Sequence, residues 1–237
     1  MTADNKKADW TFGKEIVPIF DEHVRKNVPM YDEIHRLITD ISGWFIEDNT
    51  TVYDIGTSTG EVIWNLTGNY PTKTCAYVGI DNSTDMFAKV MELHKQKESQ
   101  GHSITFLEKD IQDSEVCLHN ASLITSVLTL QFIPKANRSD VLRKIYEGLR
   151  TGGGFILVEK VIGMNAHFNE MWVELYHELK LRNGMTEKEI MDKARSIRGV
   201  LQPLTLEENI TLLKEAGFTN IDVFFKWTNF AGIVAMK

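Results

Sequence analysis

The sequence predicts an α/β fold: one mostly parallel sheet with helices on both faces, closed by an antiparallel hairpin. Three observations support this. From about Thr51 onward, strand-sized apolar runs alternate with runs of helical period. The first three strand runs each end at or beside an acidic residue, Asp54, Asp81 or Asp110. The chain closes on two more strand runs, 221–227 and 230–236, separated only by Thr228-Asn229.

The elements follow in order. Phe20, Val24, Val28, Ile34, Leu37, Ile38 and Ile41 recur at spacings of mostly three and four, interrupted at Pro29. Two short helices therefore flank Val28-Pro29-Met30-Tyr31 and form an N-terminal helical cap over residues 14–45. Residues 51–55 form the first strand, which ends at Gly56; a helix starts after Gly60, over 61–66. Residues 74–80 form the second strand, and Ser83 caps a helix reaching Lys97. Strands follow at 103–107 and 121–128, then an amphipathic helix at 139–149. Gly152-Gly153-Gly154 breaks that helix, and 155–159 is the fifth strand. Residues 165–198 hold two helical segments parted by Asn183-Gly184; they read as an inserted lid or dimerisation arm before the helix of 206–216. Residues 1–237 form a single domain.

Composition narrows the function. At 43% hydrophobic and 25% charged residues the chain reads as an ordinary globular protein, and no apolar run approaches a membrane span. Residues 1–7 are polar and lack the apolar core of a secretory signal, so a cytoplasmic location is expected. Two cysteines, Cys75 and Cys117, are too few for a disulfide framework. The net charge of −7 argues against broad nucleic-acid binding, which needs a basic face. The histidines show no metal-ligand spacing, so no metal is expected.

Open parallel sheets bind ligands at the carboxyl ends of their strands. Asp54-Ile55-Gly56-Thr57-Ser58-Thr59-Gly60 lies at such an end. Its glycines permit a tight turn and close approach of a ligand to the main chain. Asp81, at the end of the next strand, can accept both hydroxyls of a ribose. Asp110 can take an adenine amino proton while Ile111 packs on the ring. A dinucleotide site would need G-x-G-x-x-G; this loop is G-x-x-x-G, and Glu61 beside it repels a pyrophosphate. No Lys-Ser/Thr follows, which excludes a P-loop. A phosphate-free cofactor with an amino-acid tail fits, with Asp54 helping to hold the ammonium. Singly, each aspartate reads equally well as a helix cap or solvated turn residue; in this order the three make a site.

These residues resemble the Rossmann-like class I S-adenosylmethionine-dependent methyltransferases. The resemblance is closer to the carboxy-S-adenosylmethionine synthases, which supply a cofactor for wobble-uridine modification of tRNA. It runs from about Phe20 to the end, through Val28-Pro29-Met30-Tyr31, Tyr53-Asp54-Ile55-Gly56, Gly79-Ile80-Asp81-Asn82-Ser83, Asp110-Ile111, Thr129-Leu130-Gln131-Phe132, Glu159-Lys160 and Asn229-Phe230. It implies S-adenosylmethionine, or its carboxylated derivative, held by Tyr31, Gly56, Thr57, Ser58, Asp81, Asn82, Asp110 and Ile111; Asp54 and Gly60 join them from the loop itself. Two positions depart from the family. Val127 replaces an asparagine that touches the cofactor, and Ala194 replaces an arginine that reaches across a dimer to the extra carboxylate. Arg195 is one residue on, which on a helix is a rotation of about 100°.

The substrate side is less defined. Glu159 and Lys160, after the fifth strand, are catalytic candidates, and Lys160, Arg195 and Arg198 are candidate cations for a substrate carboxylate. Gln131, His167, Trp172, Tyr176 and His177 are further candidates. Each has an ordinary alternative: core or interface for Trp172 and Tyr176, local hydrogen bonding for the histidines, and a solvated helix face for the arginines. The run from Glu187 to Lys193 reads as an exposed helix. Methyl transfer to a small molecule is the first reading. The alternatives are carboxy-S-adenosylmethionine synthesis from prephenate and a non-catalytic cofactor-binding protein. The apolar content of 165–198 suggests a homodimer.

Overall fold

A computed structural model describes residues 20–97 and 101–237. Residues 14–19 of the expected cap lie outside the described residues. Two helices open the described chain, α1 (Phe20–Asn27) and α2 (Tyr31–Ser42), parted at Pro29 as the spacing predicts. Then come β1 (Thr51–Ile55), α3 (Glu61–Asn69), β2 (Ala76–Asp81), α4 (Thr84–Gln96), β3 (Ser103–Glu108) and β4 (Ala121–Val127). A short 3₁₀ turn, Leu130–Phe132, leads to α5 (Lys135–Gly148) and β5 (Leu149–Ile162). The arm is α6 (Ala166–Arg182) and α7 (Glu187–Ser196), followed by β6 (Leu204–Thr205), α8 (Leu206–Ala216), β7 (Asn220–Trp227) and β8 (Phe230–Met236).

The main sheet runs β3-β2-β1-β4-β5-β8-β7, and β6 pairs off this path with the end of β5. The first five strands are parallel; β8 is antiparallel to both β5 and β7. Strand order reverses between β1 and β4, which opens a crevice beyond their carboxyl ends. Alternate strand residues feed two cores, because strand side chains point to opposite faces in turn. Tyr53, Ile55, Ile124, Phe155 and Leu157 pack against Ile145 of α5 and Leu213 of α8. Val52, Leu123, Ile156 and Val158 pack with Ile34 and Ile38 of α2 and Ile63 and Leu66 of α3.

Three expectations change. Helix α5 starts at Lys135, a full turn before Ser139, behind Pro134 at φ −51°. Its first turn is polar, and there Arg138, only 2% exposed, donates to the carbonyls of Ile133, Gln131 and Gln202 instead of facing solvent. The helix ends at Gly148, where a Cβ would lie 2.4 Å from Leu118 Cβ. Gly152-Gly153-Gly154 therefore does not separate helix from strand; it lies inside β5. Leu149 pairs with Ala121 and Gly154 with Leu123, so the glycines form a bulge, and a Cβ on Gly153 would stand 2.9 Å from the Ala121 carbonyl oxygen. Strand β6, only two residues long, has no counterpart in the sequence reading.

Among the described residues, no helix is long and apolar enough to cross a membrane. Ile145 is fully buried between α5, the sheet and α8. Ile145→Ala is expected to cost about 2–5 kcal/mol of stability in urea unfolding; a change below about 1 kcal/mol would contradict this packing.

Candidate active site

The loop after β1 turns at two glycines with left-handed backbone, Gly56 (φ 74°) and Gly60 (φ 81°). A Cβ on Gly56 would lie 2.0 Å from Thr129 Oγ1, so the neighbouring strand end leaves no room for a side chain. The amides of Gly56 and Thr57 donate to the Ile80 carbonyl at 2.7 and 3.1 Å, which ties the loop to β2. Asp81 completes the tie: its Oδ2 accepts from the Ser58 amide at 2.8 Å and its Oδ1 from the Ser83 amide at 2.9 Å. Ser83 caps α4 by accepting from the Met86 amide. Asp110 accepts from the Gln112 amide at 2.9 Å and from Asn82 Nδ2 at 3.0 Å. Ile111 beside it is buried. Asp54, 2% exposed, accepts from Thr125 Oγ1 at 2.7 Å.

These groups line one cavity of about 760 Å³. Of the residues expected from sequence, it brings together Tyr31, Asp54, Gly56, Thr57, Ser58, Asp81, Asn82, Asp110, Ile111 and Lys160, with Val127, Gln131 and Tyr176. Gly60 does not line it; it begins α3, with a Cβ position 2.7 Å from Trp64 Nε1. Glu159 does not line it either. Side chains alternate along β5, so Lys160 shares the cavity face with Ile156 and Val158 while Glu159 falls on the opposite face with Phe155 and Leu157. Burial pushes the Glu159 carboxyl up to about 8, against the pull of Arg138 and of the amides of residues 129–131. Arg195 and Arg198 are exposed and outside the cavity, and Arg195 lies 3.6 Å from Asp192. His167, Trp172 and His177 are also outside it.

The cavity also holds residues that the sequence reading missed. Lys180, 6% exposed, comes from α6 one turn after the buried Tyr176. Lys193 comes from α7 one turn after the buried Ile190, so the run 187–193 is not wholly exposed. Spacing of three or four from an apolar contact residue is the signal that marks both. His23 and His35 enter from α1 and α2. His35 is buried, tilted against Tyr31 at 4.4 Å, and neither ring nitrogen has a partner. Burial holds it down to about 4, so at neutral pH it is an uncharged ring with unspent hydrogen-bonding capacity.

The donor set fits S-adenosylmethionine. Asp81 keeps lone pairs free for ribose hydroxyls, Asp110 and Ile111 suit an adenine edge and face, and Asp54 and His35 offer polar partners to the amino-acid tail. Among the described residues, no cluster of His, Cys, Asp or Glu is gathered for a metal.

The sheet order, the crevice and this row of carboxylates define a class I S-adenosylmethionine-dependent transferase, an enzyme that takes S-adenosylmethionine as cofactor or substrate. Residues 52–153 match the family described as a methyltransferase domain. A carboxy-S-adenosyl-L-methionine synthase from Staphylococcus epidermidis is 45% identical over 96% of this chain and 97% of its own. Another synthase of that name, from Methylococcus capsulatus, is 39% identical over 97% and 94%. A solved structure of a putative S-adenosyl-L-methionine-dependent methyltransferase from Methanococcus maripaludis shares the fold at TM-score 0.62 and 19% identity, over 100% of this chain and 97% of its own. The chain belongs to the carboxy-S-adenosyl-L-methionine synthase family.

Two outcomes follow. Asp81→Ala is expected to weaken S-adenosylmethionine binding by about tenfold or more in calorimetry, since it removes a charged acceptor; an unchanged Kd would place the ribose elsewhere. Burial pushes the Asp54 carboxyl up to about 6, with the Thr125 hydroxyl opposing the shift. Protonation below that pH removes its attraction for an ammonium, so affinity is expected to fall as pH drops from 7 to 5. Asp54→Asn should flatten that profile; a profile as steep as the wild type's would exclude Asp54 as its source.

Proposed function

We propose that this enzyme carboxylates S-adenosylmethionine at its methyl carbon, with prephenate as carboxyl donor, and that the product serves wobble-uridine modification of tRNA. The observation that carries this reading is the similarity to synthases along almost the whole chain, arm included. The reaction balances without a protein base. Prephenate becomes aromatic on losing its ring carboxylate and its hydroxide; the carboxylate carbon joins the methyl carbon, and the hydroxide leaves as water with the displaced methyl proton. The enzyme's task is then to bind an anionic donor beside a cationic one, orient them and exclude bulk water. Lys160 lies on the cavity wall that such an anion would meet.

Methyl transfer to a separate small molecule is the second reading. It is favoured by Val127 and Ala194, the two departures from the family pattern. We also propose a cytoplasmic homodimer built through the arm. Phe168, Met171, Val173, Leu175, Leu181 and Met191 of α6 and α7 are each more than a third exposed, an apolar content suited to a partner surface.

Incubation with S-adenosylmethionine, with and without prephenate, followed by mass spectrometry of the products, separates the readings. A carboxylated sulfonium formed only with prephenate is expected. Demethylated cofactor with a methylated acceptor and no carboxylated product would replace synthesis by methyl transfer. Light scattering is expected to give twice the monomer mass; a monomer at assay concentration would remove the dimer.

A further inference from the structure

Helix α2 opens on Tyr31 and carries His35 one turn later. Both side chains are buried, both line the cavity, and their rings meet at 4.4 Å. The other buried polar side chains of α2 are satisfied within the helix. Thr39 Oγ1 donates to the His35 carbonyl at 2.8 Å, and Ser42 Oγ donates to the Ile38 carbonyl at 2.6 Å. His35 is the exception: among the described residues neither of its ring nitrogens has a hydrogen-bonding partner. A buried N–H left unpaired lowers stability, and a ligand that accepts from it removes that cost.

The charges around this corner decide which part of a ligand the ring meets. Tyr31, in contact with His35, feels the carboxylates of Glu61 on α3, Asp21 on α1 and Asp54 on β1, and the Arg25 guanidinium of α1. Arg25 is committed to two acids, Asp32 at 2.8 Å and Glu61 at 3.6 Å. Ionised Asp54 only accepts, so of the two ends of an amino-acid tail it suits the ammonium. The carboxylate of the same tail needs a donor. Burial, then the charge of Arg25, keeps the His35 ring neutral at pH 7 against the pull of Asp32, and a neutral imidazole retains one N–H. A neutral donor has a further advantage here. A cation in this position would repel the ammonium and the sulfonium of the ligand whose carboxylate it held.

We propose that His35 is a specificity-determining residue for the cofactor: its ring N–H donates to the carboxylate of the amino-acid tail, while Asp54 receives the ammonium. The proposal holds whichever group the enzyme transfers, so it does not rest on the synthase reading. It gives the N-terminal helical cap a part in choosing the ligand. An adenosyl sulfonium that lacks the carboxylate leaves the buried ring unpaired and is rejected for that reason.

The test compares two ligands on the full chain by calorimetry: S-adenosylmethionine and its decarboxylated form, which keeps the ammonium and the sulfonium. His35→Leu is expected to weaken S-adenosylmethionine about tenfold or more, the loss of a hydrogen bond to a charged group. The same variant should bind the decarboxylated form within about twofold of the wild type. His35→Gln, which restores an N–H donor, should recover most of the affinity for S-adenosylmethionine. Without ligand, His35→Leu should melt no lower than the wild type, because it removes an unpaired polar group from the interior. Ring-nitrogen NMR of the wild type should show S-adenosylmethionine, and not the decarboxylated form, shifting a histidine signal that His35→Gln lacks. An equal loss for both ligands overturns the proposal, since the ring would then serve the ammonium or the fold. Unchanged affinity for both ligands, with an unmoved histidine signal, also overturns it, because the ring nitrogens would then hold only water. No carboxyl donor is present in any arm, so failure of the synthase reading leaves each of these outcomes as it stands.

Discussion

One carboxylate, that of Asp81, holds the crevice together. It sits at the carboxyl end of β2, next to β1, and it receives one amide from the loop after β1 and one from the start of α4. Burial pushes its acid up, and those two amides oppose the shift. They pin the loop and the helix to the same point. The positive φ of Gly56 and the closeness of Thr129, which leaves no room for a Cβ, matter because this turn precedes the Ser58 amide that meets Asp81. A ligand that offers two hydroxyls adds partners to a charge already half stripped of water. Were a ribose to bind there, scaffold and ligand would share one acceptor, and the loop's geometry and the binding of that ribose could not be altered independently.

The cavity built around this point carries both signs of charge. Among the described residues its acids belong to the sheet's own strand ends and the segments that follow them; of its lysines, Lys109 follows β3, Lys160 lies on β5, and Lys180 and Lys193 belong to the arm. In the proposed reaction a sulfonium and an organic acid, opposite in charge, would meet in this one cavity. Chemistry of this kind relies on placement more than on a strong base, which agrees with the position of Glu159: the one carboxyl raised to about 8 faces the 3₁₀ turn and Arg138, away from the cavity.

The sequence pointed to the strand-end side of the cavity more fully than to the arm side, and the reason is physical. Asp54, Gly56, Asp81 and Asp110 lie at or just after strand ends, where position follows directly from local pattern. Helices α4, α6 and α8 and the terminal hairpin were legible for the same reason: caps, turns and periodicity lie within a few residues of one another. Lys180 and Lys193 reach the same cavity from far along the chain. Nothing local distinguishes them from solvated lysines except their spacing from Tyr176 and Ile190. The start of α5 misled in the same way, since its polar first turn conceals the buried Arg138 guanidinium, whose partners, such as the Gln202 carbonyl, are distant in sequence. The triple glycine misled because a bulge inside a strand and a break before one have the same composition. Glu159 and Lys160 looked alike as neighbours at a strand end; the pleat sends them to opposite sides.

The arm is attached to the rest of the molecule at several points. Tyr176 packs edge-on against Phe230 at 5.4 Å, Asn183 Nδ2 donates to the Lys26 carbonyl at 3.0 Å, and Lys193 Nζ stands 3.1 Å from His23 Nε2. The carboxylates of the crevice and the two arm lysines thus lie in stretches of chain that do not overlap. Each stretch can accumulate substitutions under its own selection. Substitutions in the arm can therefore change the charge on one side of the cavity while leaving the strand ends as they are.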